Sequence, residues 1–189
     1  MSYRYLMFNK PYGVLSQFTD EGIGHPTLKK YINVLDVYAA GRLDRDSEGL
    51  LLLTNDGGFI KRITDPGHHA IKTYWTLVEG DPNPERLNKL MSGVLINGYK
   101  TLPCEARIIP EPILAPRIKP VTPHDQTSWI EIKLHEGKKR QIRHMTASVG
   151  MFTLRIVRIA IGNLFLGDLE PGTWRDLTPG EIHALKGIN

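Results

Sequence analysis

The feature that most constrains the fold is an unbroken aliphatic run, Leu50 to Leu53, which directly follows a highly charged loop. Such a run predicts a strand covered on both faces. Residues 41–57 contain four acidic residues and two arginines, and a loop held against a rigid strand is a typical location for catalytic groups. Asp44 lies between Arg42 and Arg45, so we expect its carboxylate to be ionised and able to act as nucleophile or base. The simpler interpretation is a salt-bridged turn before a strand.

Length and composition favour a globular protein. The chain has 189 residues, of which 41% are hydrophobic, which suits one domain or two closely joined lobes. We find no apolar signal-peptide segment near the N-terminus and no run long enough to span a membrane. The single cysteine, Cys104, is expected to be a small core residue in a reducing compartment. We therefore expect a soluble, cytoplasmic protein.

The positive charge is concentrated in one part of the chain. The net charge is only +4, but no Asp or Glu occurs between Gly137 and Gly167. A cluster of one sign indicates binding to a polyanion, although a solvated basic helix face has the same composition. The basic residues of this stretch are Lys138, Lys139, Arg140, Arg143, His144, Arg155 and Arg158.

Hydrophobic periodicity predicts more strands than helices, many of them joined by short turns. This pattern favours an α+β fold with a mixed, largely antiparallel sheet. The closely spaced prolines between Pro110 and Pro123 predict an irregular surface connection. The predicted strands are 3–9, 37–41, 50–54, 71–79, 104–109, 128–135 and 154–162. The predicted helices are 27–31 with Thr27 as cap, 56/57–63, 84–91 with Asn83 as cap, 138–149, and 179–186 with Thr178 as cap.

Three segments together resemble the motifs of the RsuA-type pseudouridine synthase family. The run from Gly41 to Gly57 resembles the catalytic motif, with Asp44 in the position of the essential aspartate. Lys72-Thr73-Tyr74 is similar to the motif with a tyrosine that stacks on the target base. Residues 136–145 resemble the third motif of the family. In that motif a basic residue pairs with the catalytic aspartate, which implies a pair between Arg143 and Asp44.

The resemblance implies a pseudouridine synthase fold with flanking helices and a central RNA-binding cleft. It covers essentially the whole chain, so we expect a single catalytic domain over 1–189 with two lobes, about 1–70 and 71–189. Only seven residues precede the Phe8-Asn9-Lys10-Pro11 motif, so either the protein lacks the N-terminal S4 RNA-binding module, as we expect, or the chain has been trimmed. That arrangement is typical of the RluE branch, which acts on large-subunit ribosomal RNA.

The activity implied is isomerisation of uridine to pseudouridine in ribosomal RNA, most simply 23S RNA of the large subunit. No cofactor or metal is implied, and the adjacent pair at positions 68 and 69, His68-His69, lacks the spacing of a helical metal site. We expect a monomer with ribosomal RNA as its partner, no membrane association and no obligate protein partner. The implied RNA-binding residues are Arg42, Lys138, Lys139, Arg140, His144, Arg155 and Arg158.

The implied mechanism leaves the role of Asp44 open between attack on C1′, deprotonation of the sugar and attack on the base. The target base would be flipped out of its stack at a cost of roughly a few kcal/mol. Arg42 would fill the vacated space, and Tyr74 would stack on the uracil. Leu154 or Ile156 would supply an aliphatic wall of the base pocket.

Two other classes of protein fit parts of the sequence. Asp44-Arg45-Asp46 is an Asp-x-Asp segment, as in metal-dependent phosphatases of the haloacid-dehalogenase type. That class also needs a later acidic pair, whereas the last third of this chain is basic. A non-enzymatic RNA-binding domain would explain the basic stretch, but not a carboxylate that opposes RNA binding.

Overall fold

The fold is built on a mixed nine-stranded sheet, seen in a computed structural model that describes residues 2–20, 22, 24–65 and 70–187. Strands β5 and β6 form a separate hairpin. The strands are β1 (Tyr5–Lys10), β2 (Tyr38–Ala39), β3 (Glu48–Thr54), β4 (Lys72–Glu79), β5 (Leu95–Ile96), β6 (Tyr99–Lys100), β7 (Glu105–Ile109), β8 (Thr127–Leu134), β9 (Phe152–Ile161), β10 (Leu164–Phe165) and β11 (Trp174–Asp176).

The strand order β11-β1-β3-β9-β4-β8-β7 places β3 and β9 in the middle of the sheet. The β3–β9 pair is parallel and the other pairs are antiparallel. Because β1 covers one whole edge of β3, strands β9 and β2 must share the other edge. Strand β9 pairs with the beginning of β3, at Glu48 and Gly49. Strand β2 pairs with the end of β3, at Leu53 and Thr54. The two strands therefore diverge along β3.

Four α-helices are found among the described residues, together with a 3-10 helix at Leu28–Lys30. Side chains cap three of these four α-helices, as expected for such residues: Asp56 accepts from Phe59 N, and Asn83 from Arg86 N. Thr178 forms a capping box with Glu181. The α-helices are α1 (Gly57–Thr64), α2 (Pro84–Met91), α3 (Gln141–Ser148) and α4 (Pro179–Lys186).

Strand β3 is covered on both faces, as its leucine run predicted. Leu50 and Leu52 belong to one hydrophobic cluster with α1 and α4, whereas Leu51 and Leu53 belong to another with β1 and the 3-10 helix. All four side chains are at most 1% exposed. A third cluster packs α3 against β8 and β9. The loop before β3 is thus anchored to the most deeply buried strand of the sheet.

The α+β class and the largely antiparallel mixed sheet are confirmed, and α2 and α4 have the predicted bounds and caps. Cys104 is buried in the third cluster, and burial raises the pKa of its thiol to about 11. None of the described helices is long and apolar enough to cross a bilayer. The division into two lobes stays a prediction.

Several predicted elements differ from the structure. Helix α3 begins at Gln141 rather than at residue 138, because Arg140 has a left-handed backbone conformation with φ 55°. Strand β3 begins two residues earlier than predicted, and the strand predicted over 37–41 shortens to two residues. Thr27 makes no side-chain capping bond. The short strands β5, β6, β10 and β11 were missed, since two or three residues carry no periodicity.

The β3–β9 contact depends on Gly49. This residue has φ +99°, and a Cβ added there would lie 2.3 Å from the carbonyl oxygen of Arg158. Both the backbone conformation and the close approach of the two strands therefore require glycine.

We expect the Gly49→Ala substitution to lower the free energy of unfolding by about 2–4 kcal/mol, through steric overlap added to backbone strain. Gly13→Ala is the matched control, because Gly13 also has positive φ but no atom lies within 4 Å of its added Cβ. That control should lose only about 1–2 kcal/mol. Urea denaturation measures both, and equal losses would show that the close approach to Arg158 is unimportant.

Candidate active site

A cleft of about 720 Å³ opens where β2 and β9 diverge. Its walls come from the loop between β2 and β3, from β4 and β9, and from the segment that precedes α3. Among the described residues, seven cationic side chains line it against two carboxylates, Asp44 and Glu136. The cations are Arg42, Arg45, Lys72, Lys138, Lys139, Arg140 and Arg158. A concave site with this excess of positive charge attracts an anionic ligand.

Asp44 lies at the cleft in a loop that is fixed on both sides. Leu43, immediately before it, is buried and exchanges hydrogen bonds with Ser16: its N–H donates to Oγ at 3.1 Å, and its carbonyl accepts from Oγ at 2.8 Å. The carbonyl of Asp44 accepts from Ser47 N at 3.0 Å. Within the described part of the chain, its carboxylate forms no hydrogen bond or ion pair, so it remains available to a ligand.

The arginines on either side of Asp44 do not pair with it. The Arg42 guanidinium donates to the side-chain oxygen of Gln17, and that of Arg45 contacts the ring of His25. Both arginines are exposed at the cleft. The neighbouring charges that we expected to hold Asp44 therefore act at a distance rather than through contact.

Asp46, rather than Asp44, receives the arginines of the third motif. Arg140 Nη1 lies 3.0 Å from both carboxylate oxygens of Asp46, and Arg143 Nη2 lies 3.1 Å from Oδ2. Arg143 also donates to the Asp46 carbonyl and to that of Thr153. The predicted direct pair of Arg143 with Asp44 is therefore corrected: Arg143 ties the loop to α3 and β9, and it does not line the cleft.

Arg143 nevertheless remains electrostatically linked to Asp44. Burial lowers the pKa of its guanidinium, and the carboxylates of Asp46 and Asp44 oppose that shift. Its Nε is buried without a hydrogen-bond partner among the described residues. The Arg143 guanidinium thus places a positive charge next to the loop, while the Asp44 carboxylate itself stays free.

Lys10 is a site residue that the sequence reasoning missed. Its ammonium is fully buried and donates to the carbonyls of Val14, Pro11 and Arg45 at 2.8, 3.1 and 3.3 Å. Burial lowers its pKa to about 7, against the carboxylates of Glu48, Asp46 and Asp44. Lys10 thus holds the acidic loop by its backbone. The available signal was a lysine at the end of an apolar strand, followed by a Pro-Tyr-Gly turn.

Tyr74 and Arg158 face each other across the β4–β9 pair, and both line the cleft. Arg158 is only 4% exposed, and its Nε donates to the Leu50 carbonyl at 2.7 Å. Of the two aliphatic candidates for the pocket wall, Ile156 lines the cleft and Leu154 does not. The tyrosine predicted to stack on a base is therefore in the same cavity as Asp44.

The remaining basic residues divide into two groups. Lys138, Lys139 and Arg140 line the cleft, and the Lys138 ammonium lies 3.3 Å above the centre of the Tyr99 ring. His144 and Arg155 do not line it. Arg155 instead forms a buried double hydrogen bond with Glu48 at 2.8 and 3.0 Å. Arg155 thus joins β9 to β3, and its role in RNA binding stays a prediction.

Metal ligation has no support within the described ranges, where no group of three or more His, Cys, Asp or Glu side chains could hold an ion. The predicted absence of a metal site at His68-His69 concerns residues outside the described part of the structure. Asp46, the second carboxylate of the Asp-x-Asp segment, is neutralised by two guanidinium groups. It is therefore not free to act as a ligand.

Comparison with known proteins gives consistent matches. The model of the RNA pseudouridylate synthase family matches residues 4–148. Ribosomal large subunit pseudouridine synthase E of Xanthomonas campestris is 51% identical over 90% of this chain and 93% of its own. The protein of the same name from Vibrio parahaemolyticus is 49% identical over 91% of this chain and 73% of its own. A crystal structure titled pseudouridylate synthase superposes with a TM-score of 0.83 at 29% identity, covering 97% of this chain and 74% of the other.

We expect Asp46→Asn to lower the free energy of unfolding by about 2 kcal/mol, because it leaves two partly buried guanidinium groups without a carboxylate. Asp176→Asn is the matched control, since it breaks an exposed pair with Arg4 and should cost about 0–1 kcal/mol. Equilibrium unfolding in guanidinium chloride measures both losses. A loss for Asp46→Asn no larger than that of the control would contradict the anchoring role.

Proposed function

The chain belongs to the RNA pseudouridylate synthase family, and from this premise we propose that its substrate is ribosomal RNA of the large subunit. It is an RNA pseudouridine synthase, an enzyme that isomerises uridine to pseudouridine. Support for the large subunit comes from relatives at about half identity, whose names specify that substrate.

The observation that carries the proposal is one unpaired carboxylate in a cleft dominated by positive charge. A protein that only binds RNA gains nothing from an acidic side chain at its binding surface, because the charge opposes the phosphates. Two neighbouring acidic groups, Asp46 in the loop and Glu48 at the start of β3, are neutralised by arginines. The Asp44 carboxylate has no such partner among the described residues, and we assign it as the catalytic carboxylate.

The reaction requires the N1–C1′ bond to break, the uracil to turn and C5 to bond to C1′. The hydrogen of C5 leaves as a proton and N1 gains one, so the atoms balance without an oxidant, a reductant or hydrolysis. Asp44 starts this sequence. The ring of Tyr74 stacks on the flipped uracil, an interaction worth about 1–3 kcal/mol.

The exposed cations position the RNA. Arg42 lies two residues before Asp44 at the cleft, where its long side chain can occupy the space left by the flipped base. Lys138, Lys139 and Arg140 lie on the same cleft wall and contact phosphates. Arg143 acts beneath the loop as a positioning residue, through Asp46.

The oligomeric state, the compartment, the cofactor requirement and the two lobes are further parts of the proposal. We infer that the protein acts as a monomer in the cytoplasm and that it needs no cofactor. The two lobes, about 1–70 and 71–189, would then lie on either side of the bound RNA.

Tritium release from large-subunit ribosomal RNA labelled with 5-³H-uridine tests the proposal, since C5 loses its hydrogen only when a new bond forms there. We expect release by the wild type in the presence of EDTA and none above background by Asp44→Asn. The variant should keep its affinity for RNA or gain some, because a negative charge is removed.

Asp176→Asn is the matched control, because it neutralises an exposed carboxylate outside the cleft and should release tritium at the wild-type rate. Tritium release by Asp44→Asn at the wild-type rate would show that Asp44 takes no part in the reaction. Binding of the RNA without release by the wild type would favour an RNA-binding protein. EDTA-sensitive phosphatase activity would instead favour the metal-dependent class.

A further inference from the structure

Two cations in the cleft, Lys72 and Arg158, have no carboxylate partner within the described part of the protein. The Lys72 ammonium makes no hydrogen bond or ion pair there. Arg158 uses Nε for the Leu50 carbonyl, but its Nη2 is buried without a partner. Arg158 is buried and Lys72 is partly buried. Cations removed from water are normally paired, so the lack of a carboxylate beside these two needs an explanation.

Among the described residues, three arginines in the same region do have a carboxylate partner, whereas the other unpaired cations of the cleft, Arg42, Arg45, Lys138 and Lys139, are exposed. Arg155, on the same strand as Arg158, is bound by Glu48, and Arg140 and Arg143 are bound by Asp46. The second carboxylate of the cleft, Glu136, accepts from Leu102 N at 2.9 Å and from Gln141 Nε2 at 2.6 Å. The protein therefore supplies counter-charges elsewhere and withholds one from Lys72 and Arg158.

The two cations lie on either side of the tyrosine. Lys72 and Tyr74 are two residues apart on β4, so their side chains point to the same face of the sheet. Tyr74 is directly opposite Arg158 on β9. All three side chains line the cleft. A ligand stacked on Tyr74 would thus have positive charge close to it from both strands.

This arrangement is unfavourable without a ligand. Burial lowers the pKa of the Lys72 ammonium to about 8, and the positive charge of Arg158 contributes to the same shift. Both causes destabilise the charged form, and a bound anion would relieve both. Sites that sacrifice stability in this way are typical of ligand-binding positions.

We propose that Lys72 and Arg158 form an anion receptor in the cleft, which binds a backbone phosphate of the RNA beside the flipped nucleotide. The inference rests on the proposed function, which supplies RNA as the ligand. A phosphate fits better than the base, because its charge is present before the reaction begins, whereas uracil is neutral when it binds. Its non-bridging oxygens also suit two converging cationic donors.

Binding to transcribed large-subunit ribosomal RNA, followed by fluorescence anisotropy over a range of KCl concentrations, tests the receptor. Lys72→Gln should weaken binding about tenfold, as expected for loss of a charge-assisted hydrogen bond. It should also reduce the slope of log affinity against log salt by about 0.7–0.9, the contribution of one phosphate contact. Lys72→Arg, which keeps the charge, should retain most of the affinity and slope.

Lys89→Gln is the matched control, because it removes one exposed lysine charge on α2, away from the cleft. Its affinity and salt slope should equal those of the wild type. The thermal unfolding midpoint provides a second measurement: Lys72→Gln should leave it unchanged or raise it, because like-charge repulsion is relieved. A lysine with a merely structural role would lower the midpoint when replaced.

Two outcomes would overturn the receptor. One is a salt slope of Lys72→Gln equal to that of the wild type. The other is unchanged affinity with a lower rate of tritium release, which would place Lys72 on the charge of the reacting base instead. Failure of the proposed function is separate: a Lys72-dependent slope without tritium release would refute the activity while leaving the receptor intact.

Discussion

The burial of β3 on both faces is the constraint on which the rest of the structure depends. Because Leu50 to Leu53 are enclosed by two hydrophobic clusters, the strand cannot shift its register without exposing one set of leucines. The loop that enters β3 therefore has a fixed end. Lys10 holds the same loop from β1, and Asp46 holds it from α3. The Asp44 carboxylate is placed by these three anchors.

The site depends on how a few carboxylates are distributed among many cations. Asp46 and Glu48 neutralise the arginines that join the loop to α3 and β9, which makes them structural. Within the described residues, the Asp44 carboxylate has no cationic partner, and Lys72 and Arg158 have no carboxylate partner. The unpaired carboxylate is suited to chemistry and the unpaired cations to an anionic substrate. The charges that stabilise the fold are thus different from those offered to the ligand.

The structure brings Asp44, Tyr74 and the Lys138–Arg140 segment, which sequence patterns singled out, to one cleft, and their roles stay predictions. Sequence patterns failed where the partner of a residue had to be named. Arg143 was assigned to Asp44, but it pairs with Asp46, and Arg155 pairs with Glu48. Which of several nearby carboxylates an arginine meets is a matter of angstroms, and linear spacing does not contain it.

The sequence by itself determined the buried strand, the caps of α2 and α4, the α+β class and the family to which the chain belongs. These follow from local patterning and motifs, which are properties of neighbouring residues. Only the tertiary structure decided that β2 and β9 pair with opposite ends of one edge of β3, and that Lys72 and Arg158 line the same cleft. Both depend on contacts between residues far apart in the chain, whose geometry is fixed only when the sheet is assembled.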